Sequence, residues 1–188
     1  MGIVMAEAAP LPIPIAELKA YLRIAVSDED ALLAALARGA ADMCEAFTGQ
    51  ALIEREVAEV LAAATAWTRL GAAPVRAILG VDALAQDGTP TALGPTDYAI
   101  DIDAAGDGWV RLLAGGGAKR ICVAYRAGMA ADPNGLPEAL RHGIVRLAAH
   151  LYTRRDPGPG PDAGRPEGAG PPAAVTALWR PWRRLRLR

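Results

Sequence analysis

Histidine, acid and thiol side chains hold metals and attack substrates, and this chain spaces few of them usefully. His142 and His150 stand eight positions apart, about two helical turns, so one metal ion cannot take both. Glu138 and His142 are four apart, a spacing that pairs or ligates on a helix, and a surface pair is the simpler expectation. Asp101-Ile102-Asp103-Ala104-Ala105-Gly106 resembles the opening of a calcium loop. Ala105 fills a ligand position, however, and Leu112 stands where the bidentate glutamate belongs, so a β-turn is expected. Gly115-Gly116-Gly117-Ala118-Lys119-Arg120 has a phosphate-friendly composition. It lacks Ser or Thr after the lysine and runs between two strands, so a hairpin loop is expected. Neither Cys44 nor Cys122 has a CxxC partner, and Cys44 falls on an apolar stripe as a small core residue. No nucleophile, base and orienter assemble. The chain is expected to be no enzyme and to need no cofactor or metal.

The unusual chemistry lies at the C-terminus, Trp179-Arg180-Pro181-Trp182-Arg183-Arg184-Leu185-Arg186-Leu187-Arg188. Residues 173 to 188 hold five arginines and no acid, a charge of +5, while the other 172 residues carry 15 bases against 21 acids. An acidic body with a basic end commonly uses that end on another molecule. Two exposed tryptophans are an aggregation hazard unless something buries them, and Trp and Arg are enriched at interface hot spots. Two tryptophans and two leucines bury roughly 500 to 600 Å², worth about 13 kcal/mol. Ordering about ten residues costs on the order of 10 to 20 kcal/mol. One such hook is marginal, and many copies in a ring hold collectively. The alternative is nucleic-acid binding, with the arginines on phosphates and Trp179 and Trp182 stacked on bases.

The elements that position this end follow from periodicity. Residues 1 to 14, rich in Ala and Pro, are expected to form an arm. Ile15, Leu18, Tyr21, Leu22 and Val26 predict a helix over 15–26. Ser27, Asp28 and Asp30 form a polar N-cap cluster for a second helix over 29–48, with Leu32, Leu33, Leu36, Ala40, Met43, Cys44 and Phe47 on its stripe. Gly49 suits the left-handed C-cap. A β-region over 52–127 follows, with strand-like runs at Leu52 to Leu61, Val75 to Val81, Tyr98 to Ile102, Trp109 to Leu113 and Arg120 to Tyr125. Pro137 opens a third helix over 137–155. Residues 156–172 are dense in Pro and Gly and are expected to link, reaching about 50 Å if extended. A last helical turn is expected over 173–178.

Composition bounds the class. The 188 residues are 52% hydrophobic, 22% charged and 5% aromatic, enough for an aliphatic core in one domain with an appendage. Net charge is −1, which excludes a uniformly basic nucleic-acid coat. Two cysteines form no disulfide framework and fit a reducing compartment. No apolar run is long enough to span a membrane. The first 15 residues hold no Lys or Arg and lack a signal-peptide n-region, and Ala6 argues against myristoylation. The expectation is a soluble, intracellular chain.

Several short segments, in order, carry a family likeness: Ala16-Glu17-Leu18-Lys19-Ala20-Tyr21-Leu22-Arg23-Ile24, Asp28-Glu29-Asp30-Ala31-Leu32-Leu33 and Glu45-Ala46-Phe47-Thr48-Gly49-Gln50-Ala51-Leu52. Asp97-Tyr98, Val123-Ala124-Tyr125-Arg126-Ala127-Gly128, Leu136-Pro137-Glu138-Ala139-Leu140, His150-Leu151-Tyr152-Thr153-Arg154-Arg155 and the run Ala177 to Leu187 continue it. Together they resemble the head–tail connector, or adaptor, proteins of long-tailed bacteriophages and phage-derived gene transfer agents. The resemblance implies an α+β fold: a helical bundle with an inserted antiparallel β-region, in a connector domain over 15–155. It implies a ring of self copies, twelve by family habit, between the portal protein and a stopper or tail-completion protein, in the neck of a virion or virus-like particle assembled in the bacterial cytoplasm. Double-stranded DNA passes through without specific binding, and no membrane is involved; an acidic body suits such a channel because repelled phosphates slide. The docking tail is 173–188, and the portal contact is carried onto Trp179, Arg180, Pro181, Trp182, Arg183, Arg184, Leu185, Arg186 and Leu187. The Pro/Gly linker is long for the family, and tryptophans flank Pro181 on both sides where one aromatic is usual.

Overall fold

The protein is described from a computed structural model, covering the backbone of residues 2–5 and residues 10–114, 117–154 and 170–184. It combines α-helices with antiparallel sheets, the α+β class expected. The chain divides into two compact units, residues 1–10 with 53–131 and residues 11–52 with 132–188. That is a finer division than one domain over 15–155.

Among the described residues the first unit holds eight strands: β1 (Gly2–Met5), β2 (Arg55–Ala62), β3 (Thr68–Arg69), β4 (Val75–Leu84), β5 (Pro90–Ala92), β6 (Tyr98–Ile102), β7 (Gly108–Leu112) and β8 (Arg120–Ala127). They form a five-stranded sheet in the order β1-β2-β8-β4-β5 and a three-stranded sheet in the order β3-β7-β6. All these strand pairs are antiparallel. Period-two alternation turns Val57 and Leu61 of β2, Val110 and Leu112 of β7, and Ile121, Val123 and Tyr125 of β8 into one apolar core.

Glu59 occupies an inward position of β2 between Val57 and Leu61 and is fully buried. Its Oε2 accepts the Tyr125 hydroxyl at 2.9 Å and the Gly71 N–H at 2.8 Å. The Tyr125 hydroxyl in turn accepts the Ala72 N–H at 3.1 Å. These partners replace water at Oε2, while the buried Oε1 has no hydrogen-bond partner among the described residues. The pair thereby ties the Gly71–Ala72 segment to both central strands.

The second unit packs α1 (Ile15–Leu22), α2 (Asp30–Thr48) and α4 (Ala173–Trp179) against α3 (Glu138–Arg154). Arg141 of α3 reaches Glu17 of α1 at 2.7 Å, and the Tyr152 hydroxyl donates to the Glu29 carboxylate. Gly49 closes α2 at φ 69°, its N–H donating to the Glu45 carbonyl, as expected.

Several expectations differ from the structure. Gly2–Met5 is not part of an arm; it pairs with β2 from Gly2↔Val60 to Met5↔Val57. Residues 6–9 lie outside the described residues. The first helix stops at Leu22 because Arg23 turns left-handed, with Ile24 N–H on the Lys19 carbonyl and Arg23 N–H on Ala20. The polar cluster before α2 supplies no side-chain cap; Asp30 is engaged by Lys19 at 2.7 Å instead. Leu32 of the expected stripe is 38% exposed, and Ala37, Ala41 and Thr48 take the buried face. The glycine-rich run after β7 is no hairpin loop, because β7 and β8 lie in different sheets and the segment crosses between them. Gly115 and Gly116 themselves lie outside the described residues.

Tyr125→Phe should cost about 1–3 kcal/mol, since it removes a donor to a buried carboxylate and orphans the Ala72 N–H. Burial, and then the Glu59 charge, raise the Tyr125 hydroxyl above the ordinary tyrosine value. A raised folded value gives stability that is complete below the unfolded value, about 10, and lost as pH rises beyond it. Urea melts of both chains between pH 8 and 11 check this: the advantage of the wild type over the Phe variant should shrink above pH 10.

Candidate interaction site

Residues 170–184 return to the helical unit and bury their main apolar anchor there. Pro172 precedes α4, and the Val175 and Thr176 N–H groups bond to its carbonyl. Val175 and Trp179, four apart on one face, are both buried, Trp179 completely. The indole lies over Gly143 of α3, where a Cβ would fall 2.1 Å from its Nε1. Its N–H points to the Leu140 carbonyl at 3.4 Å, and its ring centroid stands 5.9 Å from that of Phe47 on α2. Only glycine leaves room for the indole at this point of α3.

Beyond Trp179 the chain makes a 3-10 turn, Arg180–Trp182, and runs along the end of α2. The Arg184 N–H donates to the Thr48 carbonyl at 2.8 Å, and Gln50 Nε2 donates to the Trp182 carbonyl at 2.6 Å. The last carbonyls of a helix lack partners within it, so the tail supplies one. The Arg183 guanidinium lies 5.6 Å from the Phe47 ring centroid. The Arg183 guanidinium thus sits by the last turn of α2, where the negative end of the helix dipole favours a cation.

Of the expected docking segment, Trp179 is enclosed by its own unit in the chain by itself, where the sequence suggested burial on another molecule. Trp182 is half-buried, while Arg180, Pro181 and Arg183 are exposed, and Arg184 is held at α2. Leu185, Arg186, Leu187 and Arg188 lie outside the described residues, as do residues 155–169, most of the expected linker. Gly143 was missed. Its signal was a glycine inside an otherwise strong helical face, a placement that costs about 1 kcal/mol against alanine unless packing requires it.

The remaining candidates take structural roles. Cys44 is buried, and burial followed by the Glu45 charge pushes its thiol up to about 12. Burial, then Asp82, also raises Cys122. Neither is an activated nucleophile. Glu138 pairs with Arg141 at 3.0 Å rather than with His142. Asp103 accepts the Ala105 and Asp107 N–H groups, each at 2.9 Å, and the Trp109 Nε1–H at 3.1 Å, which makes the expected turn between β6 and β7. Among the described residues no group of three His, Cys, Asp or Glu side chains is placed to hold a metal ion, and no helix is long and apolar enough to cross a membrane. Lys119 and Arg120 line an open cleft of about 540 Å³ with Leu84, Gln86 and Thr91.

Whole-chain comparison defines the class of fold. No protein-family model and no curated protein matches the chain. Solved structures do, over their whole length. A chain from the neck of an empty gene transfer agent (GTA) particle, computed with C6 symmetry, is 27% identical with a TM-score of 0.74. A chain from the virion of a native GTA particle is 26% identical with a TM-score of 0.76. A chain from the neck of a native GTA particle, computed with C12 symmetry, is 26% identical with a TM-score of 0.74. Each match covers 100% of this chain and 98% of the other. The chain is thus similar, end to end, to components of a virus-like particle and its neck.

Gly143→Ala should destabilise the helical unit by about 1–3 kcal/mol through overpacking. Trp179→Ala should cost about 3–5 kcal/mol. Limited tryptic proteolysis should cut both variants after Arg183 or Arg184 faster than the wild type, and denaturant melts give the magnitudes.

Proposed function

We propose that the chain is a non-catalytic neck subunit: a head–tail adaptor whose copies form a ring, twelve in number, between a portal and a stopper or tail-completion protein. The full-length likeness to GTA neck and virion chains carries this reading. The C12 symmetry used for one of those necks agrees with twelve copies. The acidic body suits a passage for DNA that must slide rather than bind.

The portal contact falls to the end of the tail, from Arg180 onward, with α4 as the clasp that fixes where that end emerges. Trp179 secures the clasp, Arg180 is exposed and Trp182 is half-buried. This division of labour replaces a freely swinging hook.

Co-sedimentation with the portal tests it. Arg180→Glu, and a chain ending at Arg184, should each lower portal binding about tenfold or more, with the melting curve unchanged. Equal binding by the wild type and both variants would remove the tail from the portal contact.

A further inference from the structure

The three-stranded sheet of the first unit has two open edges of unlike character. Main-chain bonds at its ends, Leu113 N–H to Asp97 and Asp103 N–H to Asp107, set the hydrogen-bonded pairs of β6 and β7. Antiparallel alternation then puts Ala99 and Asp101 in bonded pairs with Arg111 and Trp109, and turns the backbone groups of Tyr98, Ile100 and Ile102 to the outer edge. No strand pairs with that edge among the described residues. Ile100 and Ile102 share the face of fully buried Val110 yet are 44% and 40% exposed. Edge strands are normally blunted by charged side chains, proline or a bulge, and Tyr-Ala-Ile-Asp-Ile has only Asp101 among these. β5, an edge of the other sheet, is three residues long and begins with Pro90.

The opposite edge, β3, is basic and aromatic. The Leu70 N–H donates to the Gly108 carbonyl at 2.8 Å, so Thr68 and Leu70 face β7 and Arg69 turns its backbone outward. Arg69 and Asp101 both lie opposite Trp109 and so share one face of the sheet. Beside Arg69 stands Trp67, 42% exposed, with the Arg111 guanidinium 4.8 Å from its ring centroid. One edge thus carries an exposed carboxylate on the face where the other carries the Arg69 guanidinium, 3.4 Å from Asp107 of its own copy, with Arg111 beside it on β7.

We propose that this sheet continues from one copy of the chain to the next, the β6 edge of one meeting the β3 edge of its neighbour. Charge complementarity names the occupant, since Asp101 faces Arg69 and Arg111 only if the neighbour is a second copy in the same orientation. The joint uses two different edges, so it is head to tail rather than two-fold, and it closes as a ring when the rotation between copies is a whole fraction of a turn. The inference rests on the ring reading and adds the surface that would make it.

Disulfide trapping tests it in the full chain with Cys122→Ser, assembled at high concentration with the portal. Asp101→Cys combined with Arg69→Cys should give an oxidant-dependent ladder of covalent multimers, and neither single variant should cross-link. Ile100→Lys should lower ring yield about tenfold or more, with the melting curve of the free chain unchanged. Rings by mass measurement without a ladder would overturn this joint and leave the ring reading standing. Dimers from Asp101→Cys alone would show two-fold pairing and overturn the head-to-tail joint. No rings from the unmodified chain would overturn both.

Discussion

The indole of Trp179 lying against Gly143 is the contact on which the helical unit depends. It places a large buried side chain between α2 and α3 and spends a helix glycine to do so. Because α4 is seated there, the following residues pass the end of α2, where Arg184 completes the Thr48 carbonyl. Removing the indole therefore loosens more than its own pocket: the α2 terminus loses its cap, and the arginines lose a defined exit. The basic end is thus presented from a fixed point.

The β-unit is organised by a different constraint. A carboxylate sits at a core position of β2, and the fold retains it by tying Glu59, Tyr125 and the Gly71–Ala72 backbone together. That tie fixes the segment just after β3, so the small sheet has a rigid border. Unlike edges on the small sheet suit the proposed joint, in which each copy would offer one edge and take the other. Many modest contacts in a closed ring hold better than one strong contact, through effective concentration.

How much of this could be read beforehand varies with the length of the signal. The periods of α2 and α3 run for several turns, and their observed bounds, Asp30–Thr48 and Glu138–Arg154, fall within a residue or so of those expected. Strand β6, expected at Tyr98 to Ile102, has those bounds. The two- and three-residue strands β3 and β5 were not, since their pairing is set by neighbours rather than by their own pattern. Nor was the crossing between sheets after β7, because a glycine run looks the same in a hairpin and in a crossover. Glu59 lies within the strand-like run Leu52 to Leu61 with nothing to mark it; only Tyr125, 66 positions later, explains its burial. The tail is the instructive case. Two tryptophans beside arginines rightly demanded burial, but the rule does not say in whose interior, and Gly143 was the clue that Trp179 has a seat at home.

The most direct measurement is a density map of the assembled neck at a resolution that shows indole rings. The account predicts Trp179 against Gly143 of its own chain, with the segment after Arg184 continuing toward the portal. Trp179 lodged in a portal pocket, with the Gly143 notch empty, would contradict it.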